Sequence, residues 1–246
     1  GRSFVTDLGT MANQLPDGMS ISDYSVNSDG VVVETANIGT VDEKAIIEVD
    51  EAGIATFDKI GNQNADFRVG LTSNFSYKSF DFYMLWDWKK GGDIYNVNGQ
   101  WTTISERNAM VDQAGKSDSE KKTRVYYGSL YDVNQNNAFW VEDGSFVKLK
   151  ETSLTYRLPS KSLDQIANGF FDEVKLSLIG RNLLTFSDYK GWDPEIASYD
   201  ANTQQYFSVD YGVYPNQTSY SFWETILATL ILVHLAQKLK LPTSTV

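Results

Sequence analysis

The strongest constraint on the fold is an alternation with a period of two residues that begins near Ala65. In residues 67–77 large apolar side chains alternate with polar ones, and residues 80–88 repeat the pattern after a short connection at Lys78-Ser79. Successive side chains of a β-strand point to opposite faces, so this period predicts two strands. Two runs of about ten residues joined by a tight turn form a hairpin long enough to cross a lipid bilayer.

The two faces of this hairpin differ in chemistry. One face carries mostly bulky apolar and aromatic groups, whereas the other includes the ionised groups Arg68, Asp81 and Asp87. A membrane barrel wall has an apolar face toward lipid. A soluble β-sandwich has the same alternation, with the apolar face turned inward. The hairpin alone fits both architectures.

The connections between strands favour the barrel. Residues 89–138 and 187–217 form two long polar stretches without strand periodicity, and the other turns are short. Compact soluble domains rarely carry loops of this length, whereas outer-membrane barrels pair long external loops with short periplasmic turns. The sequence therefore predicts an all-β fold, an antiparallel up-and-down transmembrane β-barrel segment with about five spanning strands.

Further strand signals complete the expected boundaries. Alternation returns over residues 139–158, with a change of phase at Lys150-Glu151 that predicts a β-bulge. A helical corner is expected at Leu163–Ala167, a strand over residues 174–186, and a last strand from Thr218. We expect residues 1–64 to form an extracellular loop or small β subdomain, and residues 65–222 to hold the barrel strands with the long loops 89–138 and 187–217.

Composition excludes several classes of function. The net charge of −11 argues against nucleic acid, because phosphate binding needs clustered Lys and Arg. No run of eighteen apolar residues exists, so a spanning helix is not expected, and lipid then tolerates only a closed sheet. Aromatic residues make up 13% of the chain, which suits the aromatic belts of a barrel.

Catalytic and metal-binding patterns are weak. His234 is the only histidine and no cysteine is present, which disfavours a Ser-His-Asp triad and histidine or thiolate metal sites. Asp81 and Asp87 on one strand would lie about 20 Å apart, too far for paired-carboxylate glycoside hydrolysis. Residues 112–118 lack calcium-loop spacing, and Gly91-Gly92 is typical of a strand-end turn rather than a phosphate loop. We expect no enzyme activity, no metal and no cofactor.

Four ordered segments carry a resemblance to a known family. They are residues 87–96 (Asp-Trp-Lys-Lys-Gly-Gly-Asp-Ile-Tyr-Asn), 140–150, 180–189 (Gly-Arg-Asn-Leu-Leu-Thr-Phe-Ser-Asp-Tyr) with Gly191, and 193–195 (Asp-Pro-Glu), while 1–7 and 64–67 match more weakly. Together they resemble the C-terminal barrel portion of SusC/RagA-type TonB-dependent outer-membrane transporters, over roughly residues 1–222. The resemblance implies a barrel of about 22 strands.

The same resemblance implies a function and partners. It implies import of oligosaccharides or peptides across the outer membrane of a Gram-negative bacterium, with outer-membrane lipid around the barrel. It further implies a SusD-like surface lipoprotein as a lid and energy from the TonB complex. The plug and the TonB-contacting box are not in this sequence, so we expect TonB to contact a missing N-terminal part.

Two sets of aromatic residues are candidate functional positions. A lipid-facing set would form the aromatic girdles of the barrel and comprises Phe67, Phe75, Phe80, Phe82, Trp86, Trp88, Phe186, Tyr220 and Phe222. A loop set would contact ligand or lid and comprises Trp101, Tyr126, Tyr127, Trp140, Trp192, Tyr206 and Tyr211. The loop set equally fits a role in pinning the loops to each other.

The end of the chain departs from the pattern. The alternation is lost after Phe222, and residues 223–246 have a helix-like mixture of apolar residues that is too short to span a bilayer. We expect this tail to follow a reading-frame change or an artificial junction. A genuine C-terminal amphipathic helix is the alternative.

Two other functions compete with transport. A soluble or surface-attached β-sandwich that binds carbohydrate would bury the apolar strand faces between two sheets. A glycan-active enzyme domain is disfavoured by the lack of a catalytic constellation.

Overall fold

The structure is a computed structural model that describes residues 1–131, 137–167, 170–195, 198–200 and 205–227, without the side chains of 166–167, 198–200, 205–207 and 227. Its α-helices are α1 (Leu8–Ala12), α2 (Val97–Ile104), α3 (Arg124–Ser129) and α4 (Ser160–Ala167). Its strands are β1 (Tyr24–Val26), β2 (Val32–Glu34), β3 (Ala65–Tyr77), β4 (Phe80–Gly91), β5 (Ile94–Tyr95), β6 (Val141–Glu142), β7 (Phe146–Arg157), β8 (Glu173–Phe186), β9 (Ser198–Asp200), β10 (Gln205–Phe207) and β11 (Ser219–Leu227).

The chain divides into two compact units. Residues 68–88, 146–186 and 216–227, as far as the structure describes them, form the sheet unit. Residues 1–67, 89–145 and 187–215 form the loop unit. The fold is mostly antiparallel sheet with a few short helices. No helix within the described residues has the length and apolar character needed to cross a membrane.

The sheet unit is built on one five-stranded sheet in the order β11-β8-β7-β4-β3. The expected hairpin is present as β3 and β4, each a few residues longer than the alternation indicated. Lys78 in the turn between them has φ 53°, the left-handed conformation that tight two-residue hairpins require. The expected helical corner is also present, as α4.

The register of the sheet separates apolar and polar side chains as expected. Leu154 lies opposite Leu178, which lies opposite Phe222, so one apolar row crosses three strands. The predicted irregularity is confirmed, since the β7–β8 register shifts between Leu149 and Glu151. Asn182, which lies at this register shift in β8, has φ 52°.

The polar side of the sheet carries ion pairs between strands. Arg68 Nε donates to Asp87 Oδ1 at 2.9 Å. Arg157 Nη2 lies 2.7 Å from Asp81 Oδ2. Arg181 Nε lies 2.8 Å from Glu151 Oε2. Opposite charges that face each other on adjacent strands stabilise the pairing.

The apolar face of the sheet is exposed, which contradicts the β-sandwich alternative. Phe75 is 61% exposed, Leu178 is 56% exposed and Phe222 is 67% exposed. In a sandwich these side chains would be buried against an opposing sheet. Among the described residues they are not.

The expected change to a helix after Phe222 is wrong for residues 223–227. Strand β11 continues to Leu227, with Trp223 opposite Ser177 and Leu227 opposite Glu173. The backbone groups of β8 need partners along the whole strand, and this requirement outweighs the lost side-chain pattern. Residues 228–246 lie outside the described residues.

The loop unit has a core of its own. Its largest buried cluster is formed by the first two chain segments, and residues of all three segments pack against it. The cluster includes Phe4, Val31, Val33, Tyr95, Tyr126, Tyr127, Leu130 and Trp140. Residues 1–64 contribute the β1–β2 hairpin. Residues 89–138, a long polar stretch without strand periodicity in the sequence, contain β5, α2 and α3, whose short lengths leave little periodicity to detect.

Candidate functional site

A cavity of about 570 Å³ lies within the loop unit. This volume falls in the range of small-molecule sites. The residues that define its chemistry are Asn96, Asn98, Thr102, Glu142, Lys190, Trp192 and Asp210.

Helix α2 supplies one wall of the cavity. Asn96 caps the helix, because its Oδ1 accepts the backbone N–H of Gly99 at 2.6 Å. The first turns of the helix then place Asn98, Gly99 and Thr102 along the cavity. Positions three and four residues apart share a helix face, so the cap fixes which side chains line the wall.

Asp210 is the most buried ionisable group of the cavity, at 1% exposure. Its carboxylate accepts Asn98 Nδ2 at 2.6 Å and the Tyr189 hydroxyl at 2.8 Å. Burial raises the pKa of Asp210, and the two hydrogen bonds oppose that rise. Burial, and then the bond to Asp210, raise the pKa of the Tyr189 hydroxyl. Tyr189 therefore remains a donor to the carboxylate at physiological pH.

Glu142 is a second carboxylate held in place. Oε1 accepts Asn96 Nδ2 at 2.9 Å, and Oε2 accepts the backbone N–H of Lys190 at 2.8 Å. Glu142 and Asp210 thus tie residues 89–145 to residues 187–215. Charge-assisted hydrogen bonds of this kind position both groups firmly.

The aromatic residues of the cavity differ in accessibility. Trp140 is buried, and its Nε1 donates to the Leu130 carbonyl at 2.8 Å. Trp192 is 71% exposed. Its neighbour Gly191 has no room for a side chain, since a Cβ would lie 2.3 Å from the Tyr189 ring. The backbone next to Trp192 therefore packs closely on the Tyr189 ring.

The structure sorts the loop aromatics into three groups. Trp140 and Trp192 line the cavity. Trp101 and Tyr211 are both exposed and contact each other edge to face, with ring centroids 4.9 Å apart. The side chain of Tyr206 lies outside the described residues.

Tyr126 and Tyr127 occupy the packing role that the sequence also allowed for the loop aromatics. Both side chains are buried in the core of the loop unit. The Tyr126 hydroxyl accepts Asn27 Nδ2 at 2.9 Å, and the Tyr127 hydroxyl donates to the Met110 carbonyl at 2.8 Å. Apolar packing around an aromatic pair gives the same sequence signal as a ligand platform, so the sequence did not separate the two roles.

All the girdle residues lie on strands of the five-stranded sheet, and Phe67, near the start of β3, is the last residue of the first loop-unit segment. Most of them are exposed: Phe67, Phe75, Phe80, Trp88, Phe186, Tyr220 and Phe222. Phe82 and Trp86 are half-buried. The Phe80 ring packs on Tyr156 of β7 at a centroid distance of 4.8 Å.

The polar residues of the cavity were not singled out from the sequence. Asn96 and Glu142 lie inside segments that carried the family resemblance, but single asparagines and carboxylates in loops have no distinctive pattern. Within the described residues, no group of three or more His, Cys, Asp or Glu could hold a metal ion.

The chain is similar to curated receptors. It is 32% identical over 174 residues to TonB-dependent receptor P3 of Formosa agariphila, covering 68% of this chain and 17% of that protein. It is 28% identical over 202 residues to TonB-dependent receptor P26 of the same organism, covering 79% of this chain and 20% of that protein. The chain thus spans about a fifth of the length of these relatives. No family model matches it.

Solved structures show the same fold. The RagAB peptide importer in its closed-closed state matches with a TM-score of 0.56 at 20% identity, over 83% of this chain and 22% of that one. The open-open state matches with a TM-score of 0.53 at 17% identity, over 83% and 21%. These structural matches agree with the motifs, the exposed apolar sheet face and the curated relatives. The chain belongs to the family of TonB-dependent receptors.

Proposed function

We propose that the chain forms the C-terminal part of a barrel wall and part of the extracellular mouth of an importer for oligosaccharides or peptides. Energy would come from a TonB complex that contacts another part of the receptor. A SusD-like lipoprotein would close the mouth from outside. The receptor would work in the outer membrane of a Gram-negative bacterium.

The observation that supports this proposal most directly is the division of the sheet into two chemical faces. An apolar row runs through Leu154, Leu178 and Phe222, and ion pairs such as Arg181–Glu151 occupy the other face. A barrel that surrounds an aqueous lumen needs this pattern in every strand. In lipid the edges of the sheet must also be paired, so the five strands would join further strands in a closed barrel.

The loop unit supports a role in recognition. It has a packed core and a polar cavity, whereas barrel loops that only connect strands need neither. The wall itself would be passive, with binding supplied by the loop unit and gating by a plug elsewhere in the receptor.

A partner surface is proposed at the exposed aromatic pair Trp101–Tyr211. Aromatic residues are enriched in the cores of protein interfaces, and they bury large areas at low entropic cost. The RagAB structures are described as those of a peptide importer. By analogy a lipoprotein lid would pack on this pair.

The proposal can be tested with single cysteines, because the chain has no native cysteine. Nitroxide labels at positions 176 and 178 of β8 are compared with labels at 175 and 177 in the complete receptor reconstituted in lipid vesicles. Labels at 176 and 178 should be relaxed by lipid-soluble oxygen, and labels at 175 and 177 by a water-soluble nickel complex. Equal access of the nickel complex to both sets would refute the barrel wall.

A further inference from the structure

We infer that the cavity of the loop unit binds uncharged sugar residues of an oligosaccharide, in preference to acidic glycans and peptides. The inference deepens the proposed function and rests on it, because it chooses among the substrate classes of an importer. Three features of the cavity support this choice: its amide groups, its charge and its exposed indole.

The hydrogen-bonding groups of the cavity match sugar hydroxyls. Asn96 and Asn98 each donate one N–H and accept one hydrogen bond within the protein. An amide has two donors and two acceptor lone pairs, so each asparagine keeps one donor and one lone pair for a ligand. A sugar hydroxyl donates and accepts at one atom, which suits such a mixed lining.

The charges around the cavity disfavour acidic ligands. Asp29, Glu142 and Asp210 line it together with one ammonium group, that of Lys190. Glu142 and Asp210 are fixed by protein donors, and their free lone pairs can accept ligand hydroxyls. A uronate, a sulfate ester or a peptide C-terminus would meet two fixed carboxylates, which is a repulsive element that gives specificity.

The backbone geometry disfavours a peptide bound as an added strand. Strand β5, beside the cavity, pairs with β6 on one side. On its other side the Tyr95 N–H donates to the Ser208 carbonyl at 2.9 Å, and the Asp210 N–H donates to the Tyr95 carbonyl at 2.9 Å. Strand addition needs a free edge, and β5 has both edges occupied at Tyr95.

The indole of Trp192 provides the apolar contact. It is largely exposed at the cavity, although a tryptophan is costly to leave in water. The C–H face of a pyranose is apolar and flat, so it can cover an indole ring while its hydroxyls reach the asparagines. Gly191 packs closely on Tyr189, which restrains the backbone beside Trp192 before a ligand binds and so lowers the entropic cost of binding.

The test is calorimetric titration of the complete detergent-solubilised receptor. The probes are neutral gluco-, manno- and xylo-hexasaccharides, oligouronates and sulfated oligosaccharides of equal length, and hexapeptides. At least one neutral probe should bind, and Trp192→Ala should weaken it tenfold or more. Tyr214→Ala is the matched control, since this exposed loop tyrosine does not line the cavity. The variant should bind the neutral probe with the same affinity as the parent.

Three results would overturn the inference. The first is that acidic probes bind more tightly than neutral ones. The second is that hexapeptides bind with higher affinity and displace the neutral probe. The third is that Trp192→Ala binds the neutral probe with unchanged affinity. Binding and labelled uptake of peptides alone would reject the sugar site and leave the importer intact. Water-accessible labels on both faces of β8 would instead reject the importer itself.

Discussion

Lys122 and Glu43 form an ion pair that is almost completely removed from water. Lys122 Nζ lies 2.6 Å from Glu43 Oε1, and the two side chains are 2% and 0% exposed. Glu43 also accepts Asn27 Nδ2 at 3.1 Å and the Gly39 N–H at 2.8 Å. The pair joins the first chain segment of the loop unit to the second.

Glu43→Gln should destabilise the loop unit by about 3–5 kcal/mol, because it leaves a buried ammonium without its counter-charge. Limited trypsin digestion of the folded receptor at increasing urea concentration measures the effect. Asp118→Asn breaks the exposed Lys121–Asp118 pair and serves as the control. Its digestion midpoint should stay close to that of the parent, because an exposed ion pair contributes little to stability. Equal digestion midpoints for the two variants would contradict the role of the buried pair.

Leu154→Lys should destabilise the folded receptor in lipid by about 2–4 kcal/mol, because it places a charge on the face of β7 that we propose to contact lipid. Ser153→Lys introduces the same side chain one residue earlier, on the polar face, and should be tolerated. Folding into lipid vesicles, followed by heat modifiability on gels, compares the two. If both lysines fold equally well, the assignment of the faces fails.

Gly144→Ala should destabilise the loop unit by roughly 1–3 kcal/mol, because the new Cβ would overlap the backbone. It would lie 2.2 Å from the Gly92 carbonyl oxygen. Gly128→Ala in α3 is the matched control, since a Cβ there meets nothing within 4 Å and alanine favours a helix. Thermal unfolding should rank Gly144→Ala below the parent, with Gly128→Ala at or above it. The reverse order would show that the close approach is absent in solution.

Asp210 should give the loop unit a distinctive pH dependence. Its folded pKa is raised above the ordinary 3.8, so the folded chain binds this proton more tightly than the unfolded chain. The contribution of Asp210 to stability therefore increases as pH falls toward 3.8 and is lost as pH rises through the folded pKa. The melting temperature of the parent relative to Asp210→Asn should rise as pH falls from 7 to 4.

This comparison needs the variant because other carboxylates act in the opposite direction. The Ser145 side chain, which donates to Asp143, lowers the pKa of that carboxylate, and its stabilisation is lost at low pH. The difference between parent and Asp210→Asn cancels that background. A difference that stays constant with pH would mean that Asp210 titrates normally.

The sheet could be predicted from the sequence, whereas the cavity could not. The alternation of apolar and polar side chains along β3 and β4 follows directly from which face is buried or meets lipid. The change of phase at Lys150-Glu151 predicted the register shift that the structure contains. The cavity depends on Asn98 meeting Asp210 across 112 positions, and no local pattern encodes that meeting. The burial of Tyr126 was unpredictable for the same reason, since it follows from contacts with distant segments.

Strand β11 shows which interaction determines how far the last strand extends. Side-chain periodicity ended at Phe222, yet pairing with β8 carries the strand to Leu227. As a result, the Trp223 side chain shares the polar face of the sheet with Ser177. The Glu224 side chain shares the apolar face with Leu176. Backbone hydrogen bonding therefore outweighed the local preference of these residues.

The two-residue turn at Lys78-Ser79 has a consequence for how such a chain can evolve. It fixes the register of β3 against β4 without help from the residues that precede β3 or follow β4. Insertions and deletions in those outlying residues would therefore leave the strand alignment unchanged. Descendants of this sequence can therefore replace residues outside this hairpin, including those of the loop unit, and keep the same alignment of β3 and β4.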